Sequence, residues 1–142
     1  MSQTPPSNSP KPANSPKTAS SADILSSFDS LPLRDEILAA AKALGYSVMT
    51  PVQSQSLPTL IEGRDLIAQA KTGSGKTAAF AISLLNRLDE SQYHTQALIV
   101  CPTRELAEQV AEEIRRLARV VGNVKVVTLC GGVALRGQVL SL

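Results

Sequence analysis

A chain of 142 residues, 43% hydrophobic and 3% aromatic with no Trp, has room for at most one domain. Its formal net charge of +2 is too small for bulk attraction to nucleic acid, so any RNA or DNA contact must come from locally placed basic and backbone groups. Cys101 and Cys130, the two cysteines, stand inside or at the end of apolar β-like runs, which points to reduced thiols in a cytosolic protein with no disulfide partner; the opening has no signal-peptide core, and no run has the length to span a membrane.

Residues 1–22 are almost entirely Ser, Pro, Asn, Thr, Lys and Ala. They offer too little apolar surface to offset the entropy of ordering, so they are read as a disordered, weakly basic tail, with residues 23–142 as the folded part. In LRDEILAAAKALGY, Leu33, Ile37, Ala41 and Leu44 repeat at helical spacing, and Gly45 follows where a left-handed cap is wanted. A second helix is expected from Thr50 as N-cap and Pro51 at the first position, with Pro58 breaking or kinking it before Gly63. DLIAQA (65–70) reads as a strand entering a glycine turn, and KTAAFAISLLNRL (76–88) as the helix that leaves it. ALIVC (97–101) is wholly apolar, the pattern of a strand covered on both faces. It leads into a helix from Glu105 to about Ala118 with a stripe of Leu106, Val110, Ile114 and Leu117. Arg115, Arg116 and Arg119 read as its solvated last turn, and Glu105 as an acid favoured at its N-terminus. A third β-like run, VKVVTLC (124–130), precedes Gly131 and Gly132. Three alternations of strand and helix predict an α/β architecture, a parallel sheet flanked by helices.

The turn AKTGSGKT (70–77) has the context of a phosphate-binding loop, a strand before it and a helix after it. Glycines at 73 and 75 let backbone N–H groups from Thr72 through Ser74 converge on phosphate oxygens, and the helix N-terminus adds its partial positive charge. Lys76 would reach the β- and γ-phosphates, and Thr77 would offer its hydroxyl to Mg²⁺. Ala70 stands where the general pattern begins with glycine; at a strand exit an ordinary negative φ accommodates it.

Four segments, in order along the chain, carry a resemblance. GYSVMTPVQ (45–53), with an isolated Phe28 seventeen residues before Gly45, resembles the Q motif of DEAD-box RNA helicases; AKTGSGKT is that family's alanine-led form of the phosphate loop. PTRELA (102–107) resembles its motif Ia, and GGVALRGQ (131–138) its Gly-Gly element with a trailing glutamine. Among bacterial members the similarity is greater to the DbpA branch. The resemblance implies an incomplete RecA-like P-loop domain that grips ATP and Mg²⁺. Gln53 would read adenine, since one amide offers a donor and an acceptor to N7 and N6 together. Phe28 would stack on the base, Tyr46 and its neighbours would hold Gln53, and Thr72, Gly73, Ser74, Gly75, Lys76 and Thr77 would hold the phosphates.

The resemblance also implies RNA bound through its backbone with little sequence preference. Pro102, Thr103 and Arg104 sit just past a strand end, Gly131 and Gly132 let a phosphate approach the main chain, and Gln138 closes that element. For the full-length protein the resemblance to the DbpA branch implies a cytoplasmic helicase with ribosomal RNA among its expected targets. After Gly132 there is no Asp or Glu, so the Walker-B acid and the second RecA-like domain are expected to be missing. The chain alone is therefore expected to lack ATPase activity and, with a sheet cut after three strands, to fold marginally. Two readings stand side by side: a fragment of an ATP-dependent RNA helicase, and a non-catalytic product that binds nucleotide or RNA without hydrolysis.

Overall fold

The structure is a computed structural model that describes residues 27–132 and 135–140. The expected tail, residues 1–22, lies outside the described residues. After a 3-10 turn at Phe28–Ser30 come five helices among the described residues: α1 (Asp35–Ala43), α2 (Pro51–Ile61), α3 (Lys76–Arg87), α4 (Arg104–Ala118) and α5 (Leu135–Val139).

Helix α3 is the centre, with α1, α2 and α4 packed on it. It buries Ala78, Ala79, Ala81, Ile82 and Leu85, and the alanines let the neighbouring helices approach closely. Ile37 of α1, Leu57 of α2 and Leu117 of α4 are fully buried in the same core. Each such side chain contributes about 1.5–3 kcal/mol relative to exposure. At the C-terminal end of α3, Arg34 donates its backbone N–H to Asn86 Oδ1 (2.8 Å) and its guanidinium to the Leu85 carbonyl (2.7 Å) and Glu90 (2.7 Å). A cation there is favoured by the helix dipole, and it fastens the start of α1.

The helix ends follow the expected chemistry. Gly45 has φ +84° after α1, and Tyr46 N–H returns to the Ala41 carbonyl at 2.9 Å. Thr50 and Gln53 form a reciprocal capping box at the start of α2, with Pro51 at its first position. Pro58, expected to break or kink α2, does not end it: the helix continues to Ile61. The pyrrolidine ring is exposed, so the lost hydrogen bond falls on the solvent side, and the stop comes from Gly63 at φ +78°. In α4, Val110, Ile114 and Leu117 are buried as expected, but Leu106 is 39% exposed because the first turn projects beyond the core.

The expected sheet is the main difference. Among the described residues there is no strand: 65–70, 97–101 and 124–129 run without helix and share no backbone hydrogen bonds. Ile67 (101%), Leu98 (83%) and Val100 (84%) face solvent. An apolar run encodes its need for cover but not its neighbour; parallel pairing is non-local, and no described segment supplies the ladder. A trough of about 880 Å³ separates 97–101 from 124–131, floored by Leu84, Leu88, Val110 and Ile114.

Backbone amides in 65–70, 97–101 and 124–129 should accordingly exchange with solvent rapidly, while Ala79 to Leu85 within α3 stay protected. Amide hydrogen exchange read by mass spectrometry or NMR checks this. Protection of the three runs equal to that of α3 would mean that a ladder forms.

Candidate functional site

The turn before α3 is set by two glycines. Gly73 and Gly75 have φ of +77° and +93°, and Gly75 is the N-cap of α3. At Gly75 a Cβ would stand 2.6 Å from Gln53 Nε2 and 3.1 Å from Thr50 Oγ1, so both backbone angle and space exclude a side chain. Ala70 is not in the left-handed region: among the described residues Asn123 is the one non-glycine with positive φ. The amides of Lys76, Thr77 and Ala78 have no acceptor among the described residues, and a Cβ at Gly73 would meet nothing within 4 Å. These unpaired donors at a helix N-terminus, beside open space, suit a phosphate.

Lys76 Nζ donates to the carbonyls of Ala70 and Lys71 (2.7 Å for the latter) and weakly to Ser74 Oγ at 3.5 Å, so its ammonium spans the turn. Thr77 follows in the same first turn. No group of three or more His, Cys, Asp or Glu able to hold a metal is found among the described residues.

Gln53 is 3% exposed, and its amide joins α2 to this turn. Oε1 accepts from Thr50 N–H at 2.9 Å, and Nε2 donates to the Gly75 carbonyl at 3.2 Å. Because Thr50 N–H only donates and the Gly75 carbonyl only accepts, the amide orientation is determined. One hydrogen on Nε2 and one lone pair on Oε1 remain.

A second group of residues lies at the N-terminal end of α4. Thr103 Oγ1 caps α4 by accepting from Leu106 N–H at 3.2 Å, and exposed Arg104 donates to the Gly131 carbonyl at 3.2 Å. Gly132 has φ +83°, and a Cβ there would stand 2.8 Å from Arg104 Nη1. Pro102, Thr103, Arg104, Gly131 and Gly132 are all exposed and form one surface.

The sequence profile described as "DEAD/DEAH box helicase" matches residues 50–142, more than half the chain. The chain belongs to this helicase family. Over 89 residues it is 62% identical to the ATP-dependent RNA helicase DbpA of Escherichia coli, covering 63% of this chain and 20% of that one. Among solved structures it resembles a DEAD box protein from the hyperthermophile Methanococcus jannaschii, with a TM-score of 0.78 at 40% identity over 82% of this chain and 32% of the other. Saccharomyces cerevisiae Dbp5 bound to RNA and ADP BeF3 matches with a TM-score of 0.65 at 35% identity, covering 68% of this chain and 25% of that one. The chain thus spans about a fifth of its curated relative's length, and it follows the helicase fold without the ladder of a sheet among its described residues.

Two of the residues expected at the helicase sites have other partners. Phe28 is 2% exposed, in the core, with its ring centroid 6.4 Å from that of Tyr46; it presents no open face for a base in this structure. Gln138 pairs with the main chain, its Oε1 accepting from Cys130 N–H (2.9 Å) and its Nε2 donating to the Cys130 carbonyl (3.1 Å), which shapes the approach to Gly131. Sequence reasoning missed Glu113, whose carboxylate accepts the Tyr46 hydroxyl and also faces Arg116. It also missed the grip of Arg115 on the 124–130 run. Nothing in a helix heptad marks either one.

Burial first, and then the hydrogen bond to the Glu113 carboxylate, push the Tyr46 phenol up to about 12 from 10.0. The folded state thus holds this proton longer than the unfolded chain. The contribution is fully present below pH 10 and is lost as pH rises toward 12. Tyr46→Phe should flatten that part of the stability profile, measured by urea unfolding from pH 9 to the highest pH at which the chain stays folded. An unchanged slope would show that Tyr46 does not carry it.

Proposed function

We propose that this chain binds ATP between α2 and the turn before α3, and the backbone of single-stranded RNA on the surface of Arg104, Gly131 and Gly132. The observation that carries this reading is the Gln53 amide. With Thr50 and Gly75 using one acceptor position and one donor, it keeps one of each, which is the complement of adenine N6 and N7. Guanine offers two acceptors at the corresponding edge and would leave the Gln53 oxygen facing an oxygen. The phosphates would fall on the free amides of Lys76, Thr77 and Ala78, with Thr72, Gly73, Ser74 and Gly75 shaping the loop. Lys76 would exchange its loop carbonyls for phosphate oxygens. Thr77 would offer its hydroxyl to Mg²⁺, which supplies charge neutralisation at the phosphates when bound.

On the other surface Arg104 supplies a charge-assisted donor, and the Gly131-Gly132 backbone allows close approach of a phosphate. Pro102 and Thr103 set the height of that loop, and Gln138 acts by holding Cys130. The RNA- and ADP-bound relative supports both ligand classes. In the whole protein we assign the activity of an ATP-dependent RNA helicase in the cytoplasm, with ribosomal RNA as the target class suggested by the DbpA similarity. A second reading, in which these 142 residues bind nucleotide without hydrolysing it, makes a separate prediction.

Titration of fluorescent ATP and GTP analogues tests base choice. Gln53→Ala should lower ATP affinity by about 1–3 kcal/mol and GTP affinity far less, while Lys76→Ala should weaken both alike. Equal losses for the two nucleotides in Gln53→Ala would make the amide a link between α2 and the turn only. Phosphate release, followed with and without RNA, should stay at background for the 142 residues. Turnover of roughly one per second or faster that disappears in Lys76→Ala would overturn the non-hydrolytic reading.

A further inference from the structure

The run that delivers Gly131 and Gly132 to the surface is held by side chains. Along an extended chain, alternate residues turn their N–H and C=O toward the same edge. The Val126 carbonyl and both backbone groups of Cys130 are met by side chains along this run. Arg115 Nη2 donates to Thr128 Oγ1 at 3.0 Å and, at a long 3.4 Å, to the Val126 carbonyl. Gln138 takes both backbone groups of Cys130. Arg115 Nη1 is anchored on its own helix by Glu108 at 2.8 Å, which aims the fork and balances its charge. Arginine suits this task because its planar group can meet two partners in fixed directions, which an ammonium cannot.

We propose that Arg115 is a positioning residue for the RNA-backbone site, acting through Thr128 to set where Gly131 and Gly132 lie, without touching RNA itself. This rests on the assignment of RNA to Arg104, Gly131 and Gly132. Its mechanism differs from that of Arg104. A contact residue contributes charge to the phosphate and therefore to the salt dependence of binding; a positioning residue changes affinity at constant salt dependence.

The test uses the full chain and a fluorescein-labelled oligouridylate, with dissociation constants from anisotropy over a salt series. Arg115→Lys keeps the charge and loses the fork; Thr128→Val removes the main acceptor and leaves every charge in place. Each should weaken binding about tenfold, the scale of one lost hydrogen bond to a charged group, with an unchanged slope of log K against log salt. The double variant should be no weaker than either single one, because both remove the same bond. Arg104→Ala should reduce the slope by roughly 0.7, one phosphate contact on a single strand. Fluorescent ADP should bind all Arg115 and Thr128 variants within twofold of the parent, which separates a local effect from misfolding.

Parent-like binding by Arg115→Lys together with a lowered slope in Arg115→Ala would make Arg115 a direct phosphate contact. Parent-like binding by Thr128→Val would remove the link through which Arg115 is argued to act. Either result overturns the proposal. Absence of salt-dependent binding by the parent, or no effect of Arg104→Ala, would defeat the RNA assignment and the proposal with it.

Discussion

The amide of Gln53 is the joint on which the turn before α3 depends. It closes the capping box of α2 through Thr50, and it holds the Gly75 carbonyl where α3 begins. Both helices are packed into one core, so the joint connects two rigid bodies. The glycine at 75 is required by the same geometry, since any Cβ would collide with the amide that fixes the turn. A buried polar side chain with both ends paired is a local constraint of high consequence: removing one end leaves the other as an unpaired buried group.

The other surface is built on a different principle. Where a sheet would align the 97–101 and 124–129 runs through a backbone ladder, the described residues show polar arms extending from α4 and α5. Arg104, Arg115 and Gln138 reach Gly131, Thr128 and Cys130 in turn. Side-chain arms locate a loop, but they do not cover apolar side chains. Leu98 and Val100 therefore remain exposed beside the trough over α4.

Much of this was legible in the residues. Gly45 and Gly63 mark the helix stops, Thr50 and Pro51 mark a start, and Ile37, Val110, Ile114 and Leu117 mark the buried faces. These signals are local, so a single sequence contains them. The glycine turn before α3 was legible for the same reason: its glycines, lysine and threonine are contiguous. The partners of the strand-like runs were not legible, because pairing joins residues distant in sequence, and a chain covering 20% of its DbpA relative supplies few candidates. Pro58 misled because its cost depends on which side of the helix loses a bond. Phe28 is buried and Gln138 holds the Cys130 backbone, placements that the family pattern alone does not specify. The partners of Tyr46 and Arg115 come from another turn of the fold and have no pattern in the chain.

The N-terminus of α3 and the Gln53 amide are proposed here to form one nucleotide site. The most direct measurement is a titration of the isotope-labelled chain with ADP, followed by backbone and glutamine side-chain amide resonances. Shifts are expected to concentrate at Gly73 to Ala78 and at the Gln53 side chain, with Gly131 and Gly132 unaffected. Saturable binding that moves the turn but leaves the Gln53 amide unchanged, or that moves neither, would contradict it.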